Sequence, residues 1–402
     1  DLSLLIAKAE ALGKTVEGHG AGARGPKLAA FVAAGATSCH EPITAEEVRA
    51  RLRLGLFTMI RDGSIRRDSG ALKGGFPEAA TSRLMLASDT VWGDGLLARG
   101  YLDESARQAV AMGLTPMQAL RAITLAPAEH FRLDGQVGGL APGRQADLVL
   151  LPDLETFRPR VVVAQGRVAA RDGEMAVPVP PVLLPADRLP RPRLPEGFGP
   201  DRLAIKAPRG PDRVRVRTIH FAAEILTEER LVDVRAQDGK LPADPTADRL
   251  KVVALDRSGS GRMAVGFVSG YGLRRGALAF SLSFDTSNLI LLGADDGDIL
   301  MAAARMVGLG GGCVVVADGA VRAELPLPLG GITSEQPLAT VAAGIQVLQD
   351  TLRGLGCVRA NPFLSALVLT FTAIPALRIR EQGLWDVRRD HVVPLIVEGE
   401  AH

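Results

Sequence analysis

The sequence has 402 residues, a formal net charge of +2, 47% hydrophobic residues and 23% charged residues. This composition is typical of a globular protein, and the length exceeds one ordinary hydrophobic core, so we expect two or three domains. The small net charge and the presence of only two Trp and two Tyr argue against nucleic acid or a charged membrane surface as a partner.

The cysteines and the apolar runs indicate the environment of the chain. Cys39, Cys313 and Cys357 are far apart and odd in number, which argues against a disulfide framework and favours a reducing, cytoplasmic environment. The longest apolar run, residues 364–377, contains two threonines and a proline and is too short to span a membrane. We therefore expect a buried element there and no membrane partner.

The first 130 residues alternate between helix and strand patterns. An amphipathic helix pattern is already under way near Asp1, which favours a piece of a longer protein. Thr44 followed by Glu47 predicts a capping box at a helix start. The alternation predicts parallel strands in about four βα units, half of an eight-fold β/α barrel. We predict helices at 4–12, 27–34, 45–54, 103–112 and 116–124, and strands at 14–17, 36–39, 56–61 and 83–89.

The rest of the chain changes character twice. Residues 131–176 are rich in turns and short strands, which predicts a small β subdomain. Residues 177–202 contain eight prolines, which predicts an extended connector. From residue 203 a second globular unit begins, for which we predict strands at 213–219, 251–254, 264–268, 277–283, 288–292 and 313–317 and a helix at 296–307.

Three side chains that can bind metal stand at predicted strand ends: His19, His40 and Asp89. In a β/α barrel the carboxyl ends of the strands converge on one site. Two imidazoles and a carboxylate suit a divalent cation of the zinc, manganese or iron class, which lowers the pKa of bound water, and Asp89 could then accept the proton. The alternative is a pair of unrelated loop or core histidines, because three ligands over about seventy residues fit many structures.

Several motifs follow one another in an order that a known family shares. Around the histidines the chain reads E-G-H-G-A-G at 17–22 and S-C-H-E at 38–41, followed by M-I-R-D-G-S at 59–64. Further on it reads G-L-A-P-G-R-Q-A-D-L-V at 139–149 and G-F-V-S-G-Y-G-L at 266–273. In these motifs the chain resembles the adenine deaminases of the amidohydrolase superfamily, and the resemblance covers nearly its whole length.

The resemblance implies an α/β fold with a defined domain order. Residues 1–130 would form the C-terminal half of a β/α (TIM-like) barrel, and residues 131–176 would form the small β subdomain. Residues 177–202 would be a proline-rich linker. Residues 203–402 would form an α+β C-terminal domain of the adenine deaminase type.

The resemblance also implies an activity, the hydrolytic deamination of adenine to hypoxanthine and ammonia in purine metabolism by metal-activated hydroxide. The implied cofactor is a divalent metal pair, manganese or iron before zinc. His19 and His40 correspond to the ligands after the fifth and sixth barrel strands. Asp89 corresponds to the acid after the eighth strand, which binds metal and moves the proton. Glu41 would hold or protonate the purine ring.

Weaker assignments come from the same resemblance. Arg61 and Ser64 would contact the substrate, with a surface or helix-entry role as the alternative. Asp285 and Asn288 would be remnants of a motif in the C-terminal domain, where the family has His-Asp-Ser-His-Asn and this chain has F-D-T-S-N at 284–288. The implied assembly is a homodimer or a higher homo-oligomer acting on a small molecule.

The chain departs from the family at other positions as well. The His-x-His of the first strand and the glutamate of the fourth strand are not found, so the remaining metal ligands are expected upstream of residue 1. The Thr-Asp-Asp of the family is Ser88-Asp89-Thr90 here, which keeps the first acid. These departures leave an alternative function, a non-catalytic homologue with a regulatory or structural role, or a hydrolase of another amine or cyclic amide.

Overall fold

A computed structural model of the chain describes residues 2–76, 80–179, 189–284, 286 and 288–397. These residues form two compact units, Asp1–Val182 and Leu183–His402, and each unit contains both helices and strands. The predicted α/β class is therefore confirmed. The predicted connector lies partly outside the described residues, because these do not include 180–188.

A parallel three-stranded sheet organises the first unit. Its order is β1–β2–β3, with Cys39 opposite Thr58 and Arg61 opposite Ala87. The strands are β1 (Ser38–Cys39), β2 (Phe57–Arg61) and β3 (Leu84–Ala87). The helices of this unit are α1 (Leu2–Ala11), α2 (Gly25–Ala33), α3 (Ala45–Arg53), α4 (Gly93–Arg99), α5 (Leu102–Ala111), α6 (Pro116–Ile123) and α7 (Leu125–His130).

The predicted strand at residues 14–17 is wrong. This segment has an irregular backbone, and Val16 O accepts a hydrogen bond from the Thr37 N–H at 2.8 Å. A strand needs a continued ladder of such bonds, which this segment does not form with β1. The segment that carries His19 is therefore held beside the sheet without being a strand of it.

The predicted capping box at α3 is half present. Thr44 Oγ1 accepts from the Glu47 N–H at 3.2 Å, as expected for an N-cap. The Glu47 carboxylate does not return to the N-cap N–H. It accepts from the Ile43 N–H at 2.9 Å and pairs with Arg24 at 2.6 Å, which ties the start of α3 to the start of α2.

A core beneath the sheet fixes the strand positions. Ile60 and Leu84 point into one buried cluster, which also receives Leu72 and the helix residue Val48. Phe157, which follows the helices in sequence, is 2% exposed and packs into the same cluster. A second, antiparallel sheet in this unit comprises β4 (Leu148–Leu150), β5 (Val161–Ala164), β6 (Arg167–Arg171) and β7 (Glu174–Met175).

The second unit is built on an eight-stranded sheet in the order β15–β14–β12–β13–β10–β11–β8–β9. All neighbouring pairs are antiparallel except β11 and β8. The six strands predicted here from the sequence are present. The strands are β8 (Arg213–Phe221), β9 (Thr227–Arg235), β10 (Leu250–Leu255), β11 (Met263–Ser269), β12 (Ala277–Phe280), β13 (Leu289–Gly293), β14 (Gly312–Ala317) and β15 (Ala320–Pro326).

The central strands of this sheet are buried on both faces, which is why they read as continuous apolar runs. The helices of this unit are α8 (Pro200–Leu203), α9 (Asp296–Gly308), α10 (Leu338–Gly354) and α11 (Pro362–Leu367), and a small sheet contains β16 (Leu377–Arg380), β17 (Gly383–Asp386) and β18 (His391–Val393). The apolar run at 364–377 begins within α11, and residues 364–367 are all buried. In the part of the chain that the structure describes, no helix is long and apolar enough to cross a membrane.

Replacing Leu291 by Ala should test the central core of the second unit. Leu291 is fully buried in β13 between β10 and β12, so its truncation should lower the free energy of unfolding by about 2–5 kcal/mol. Leu231 on β9 is 50% exposed, and Leu231→Ala should change that free energy by about 0.5 kcal/mol or less. Denaturant unfolding of both variants measures the difference, and equal losses would contradict this account of the core.

Candidate metal centre

The candidate site lies where the parallel strands of the first unit end. His40 and Glu41 directly follow β1, Arg61 is the last residue of β2, and Asp89 stands two residues after β3. Because parallel strands have their carboxyl ends at the same edge of a sheet, these side chains meet there. His19 reaches the same edge from the irregular segment beside β1.

Three potential ligand atoms converge at this edge. His19 Nδ1 lies 3.2 Å from His40 Nε2, and Glu41 Oε1 lies 3.4 Å from the first nitrogen and 3.3 Å from the second. Ligand atoms bound tetrahedrally at zinc-like distances of about 2.0–2.1 Å are about 3.3 Å apart, so the three separations fit one cation. The 3.2 Å contact also fits an N–H···N hydrogen bond between the imidazoles in one tautomer.

The state of Glu41 favours the cation. Its side chain is 5% exposed, and Oε1 is buried without a hydrogen bond of normal geometry although Arg61 Nη1 lies 2.8 Å away. This oxygen has no aligned donor hydrogen even with Arg61 nearby, so a further positive charge beside it would stabilise it. The residues present therefore fit a divalent cation, and three protein ligands leave coordination positions open.

Asp89 stands next to this cluster and is connected to it through Arg61. Arg61 Nη1 donates to Asp89 Oδ2 at 2.7 Å and also lies 2.8 Å from Glu41 Oε1. Among the described residues, the group of converging ligand atoms comprises His19, His40 and Glu41. The ligand role predicted for Asp89 stays a prediction, and its carboxylate, which is half exposed, is held by a guanidinium.

The surrounding charges leave an excess of negative charge. Arg61 is buried, and its Nε lies 3.5 Å from Asp68 Oδ2. Arg66 lies within 3.5 Å of carboxylate oxygens of both Glu41 and Asp68. Three carboxylates thus face two guanidinium groups, and a bound cation would offset the remaining negative charge.

The turn that carries Asp89 has an unusual backbone. Asp89 has φ 48° and Thr90 has φ 78°, a region that residues with a side chain seldom adopt. Ser64 supports this turn, since its N–H donates to Thr90 O at 2.9 Å and its hydroxyl accepts from the Trp92 N–H at 2.9 Å. Gly63 packs so closely that an added Cβ would lie 2.1 Å from Ser88 O. Strained turns of this kind cluster at functional sites.

The positions of Arg61 and Ser64 suggest roles other than the predicted substrate contacts. Both side chains already bind protein groups, Arg61 at the carboxylates and Ser64 at the turn. Sequence reasoning assigned Glu41 to the purine ring and did not group it with the possible ligand atoms of His19 and His40, although its place directly after His40 could have indicated this grouping. It also missed the bridging position of Arg61, which depends on strand register.

Partial burial affects the pKa of His40. It lowers the pKa of the imidazole from the usual value near 6.5, and the nearby Glu41 carboxylate opposes this shift. Since a metal binds the neutral imidazole, the lowered pKa keeps His40 ready to bind at neutral pH.

The motif of the second unit lies apart from this cluster in the chain. Asn288 is buried, and its amide donates to Glu381 Oε2 at 2.8 Å. Asp285 lies outside the described residues. The roles of both residues stay predictions.

Comparisons with known proteins agree along the whole chain. The amidohydrolase family matches residues 65–169, and the adenine deaminase C-terminal domain matches residues 224–391. The chain is 37% identical over 391 residues to an adenine deaminase of Moorella thermoacetica, covering 96% of this chain and 66% of that protein. It is 36% identical to an adenine deaminase of Cenarchaeum symbiosum, covering 96% and 63%, and 32% identical to one of Desulforamulus reducens, covering 98% and 68%. The chain thus spans about two thirds of the length of these relatives.

An NMR titration should test the protonation of His40 in metal-free protein. Because burial disfavours the imidazolium, proton uptake requires a lower pH, and the midpoint should fall below about 6.5. The resonance is assigned by its loss in a His40→Asn variant. A midpoint at or above that value would contradict the lowered pKa of this partly buried ring.

Proposed function

Because the chain belongs to the adenine deaminase family, we propose that it catalyses the hydrolytic deamination of adenine to hypoxanthine and ammonia. The observation that carries this proposal is the convergence of His19, His40 and Glu41 within hydrogen-bond distance at the edge of a parallel sheet. The order of the two family matches supports it, since an amidohydrolase segment precedes the adenine deaminase domain.

The finer fold and domain order belong to the same proposal. We propose that β1, β2 and β3 are late strands of a β/α barrel, contained in residues 1–130. Residues 131–176 would be the small β subdomain, 177–202 the linker and 203–402 the family's C-terminal domain. The parallel pairing of β1–β3 and the antiparallel sheet β4–β7 support the first two parts of this division.

The amidohydrolase family is generally metal-dependent, and we propose His19, His40 and Glu41 as ligands of a manganese, iron or zinc ion. When bound, such an ion supplies activation of water near neutral pH. A second ion would need further ligands than these three. The two imidazoles would bind the cation as neutral ligands, and the carboxylate would bind it with a negative charge.

Asp89 is the proposed group that moves the proton. Its carboxylate is half exposed and therefore accessible to substrate, while Arg61 donates to Oδ2 at 2.7 Å. The other oxygen can accept the proton lost by the attacking water and can return it to the leaving amine. Arg61 is then a positioning residue for Asp89.

The direct test expresses the full-length gene and measures ammonia release from adenine by the purified product with added manganese, iron or zinc. His40→Ala should lose bound metal and lower kcat at least about 100-fold, because a ligand is removed. The matched control is His391→Ala, since His391 is exposed on β18 and bonds only to a nearby backbone carbonyl among the contacts described. Full metal occupancy without ammonia release would refute adenine deamination, whereas unchanged metal content in His40→Ala would refute the ligand assignment.

A second variant separates proton transfer from metal binding. In Gly63→Ala the new Cβ would lie 2.1 Å from Ser88 O and 2.5 Å from Thr90 O, so the turn carrying Asp89 must move. We expect kcat to fall about 100-fold, as a displacement of about 1 Å can cause, with metal content unchanged. Gly70→Ala is the control, because an added Cβ there meets no atom within 4 Å. Wild-type kcat in Gly63→Ala would contradict the role of the turn.

A further inference from the structure

The segment that carries His19 is positioned by side chains. Residues 14–20 form no strand, and the backbone hydrogen bond that ties them to a distant part of the chain, among the contacts described, is the one between Val16 O and the Thr37 N–H. Two side-chain anchors flank His19 instead. Glu17 lies two residues before it, and the carbonyl of Gly20, one residue after it, accepts from the buried Arg51 guanidinium at 3.1 Å.

Glu17 joins three parts of the first unit. Its Oε2 accepts a hydrogen bond from the Ser38 hydroxyl, and its Oε1 lies 2.6 Å from His130 Nε2. Ser38 is the first residue of β1 and precedes His40 by two residues, just as Glu17 precedes His19. The Glu17 carboxylate therefore links the segment that carries His19 to β1, the strand that precedes His40.

The His130 end of this link is rigid. The His130 side chain is 1% exposed and lies between two aromatic rings, with centroid distances of 4.7 Å to Phe57 and 4.7 Å to Phe131. Phe57 is the first residue of β2, so the ring that holds Glu17 is itself packed against the sheet. A buried imidazole that contacts two tilted aromatic rings is held in one orientation and can anchor the carboxylate.

We propose that Glu17 is a positioning residue of the candidate metal centre, whose carboxylate fixes the segment of His19 against β1 through Ser38 and His130. Glu17 does not touch the two ligand imidazoles in the contacts described and acts by setting their separation of 3.2 Å. The inference rests on the proposed metal site. It adds to that site the residue that positions His19, which does not lie on a strand.

The test compares cobalt(II) affinity and amide hydrogen exchange in the full protein. Glu17→Ala should weaken cobalt binding by about 10–100-fold, the usual effect of removing a partner that orients metal ligands. Metal-free Glu17→Ala should also exchange the amides of residues 14–23 faster, while exchange in β3 stays at the wild-type rate. Glu17→Gln keeps an oxygen that can accept from Ser38, so both effects should be smaller.

The matched control is Glu129→Ala. Glu129 precedes His130 on α7 and pairs with Arg121 at 2.6 Å, so this variant removes an ion pair beside His130 and leaves the contact between His130 and Glu17 in place. Wild-type cobalt affinity in Glu17→Ala, or equal loss in Glu129→Ala, would overturn the inference and leave the metal site standing. Wild-type affinity in His40→Ala would instead overturn the metal site, and the inference with it.

Discussion

The buried guanidinium of Arg61 is the interaction on which the candidate site depends. Arg61 ends the central strand of the three-stranded sheet, so it has Glu41 on the β1 side and Asp89 on the β3 side. A buried charge is tolerated only when it is paired, and each of these carboxylates relies on the same guanidinium. The site is thereby linked to strand register, because a shift of β2 by one residue would turn Arg61 to the opposite face of the sheet.

The candidate site contains little regular secondary structure. β1 contains only Ser38 and Cys39, and the segment with His19 contains no strand at all. Side-chain contacts hold this segment where backbone hydrogen bonds between strands would otherwise hold it. Arg51, which is 1% exposed, donates to Gly20 O and lies 3.1 Å from Cys39 Sγ, so it ties the loop after His19 to β1. The imidazoles are thus held by a few specific bonds, each of which a single substitution can remove.

Some elements of the fold and the candidate site were predictable from the sequence, and others were not. The strands of the second unit were predictable, because runs such as the one in β13 are buried on both faces and read as apolar throughout. The strand ends at His40 and Asp89 were predictable from βα alternation. The strand at 14–17 was predicted wrongly, because a short extended segment such as this one does not reveal whether a partner strand will form a ladder with it. The bridge made by Arg61 depends on the register between strands that are distant in sequence, which no local pattern encodes.

The geometry of Glu41 and Asp89 would couple the proposed metal binding to the proposed proton transfer. Arg61 Nη1 lies 2.8 Å from Glu41 Oε1 and 2.7 Å from Asp89 Oδ2, so one nitrogen serves the proposed ligand and the proposed proton carrier. The same Glu41 oxygen faces both imidazoles, and a cation beside it would compete with Arg61 for its negative charge. Arg61 retains its bond to Asp89 in that case, since Glu41 Oε2 still accepts from Nη2 at 3.1 Å and keeps the guanidinium in place. A cation bound between the imidazoles would therefore influence Asp89 through Arg61. In this way Arg61 would link the proposed metal ligands to the proposed proton carrier without direct contact between them.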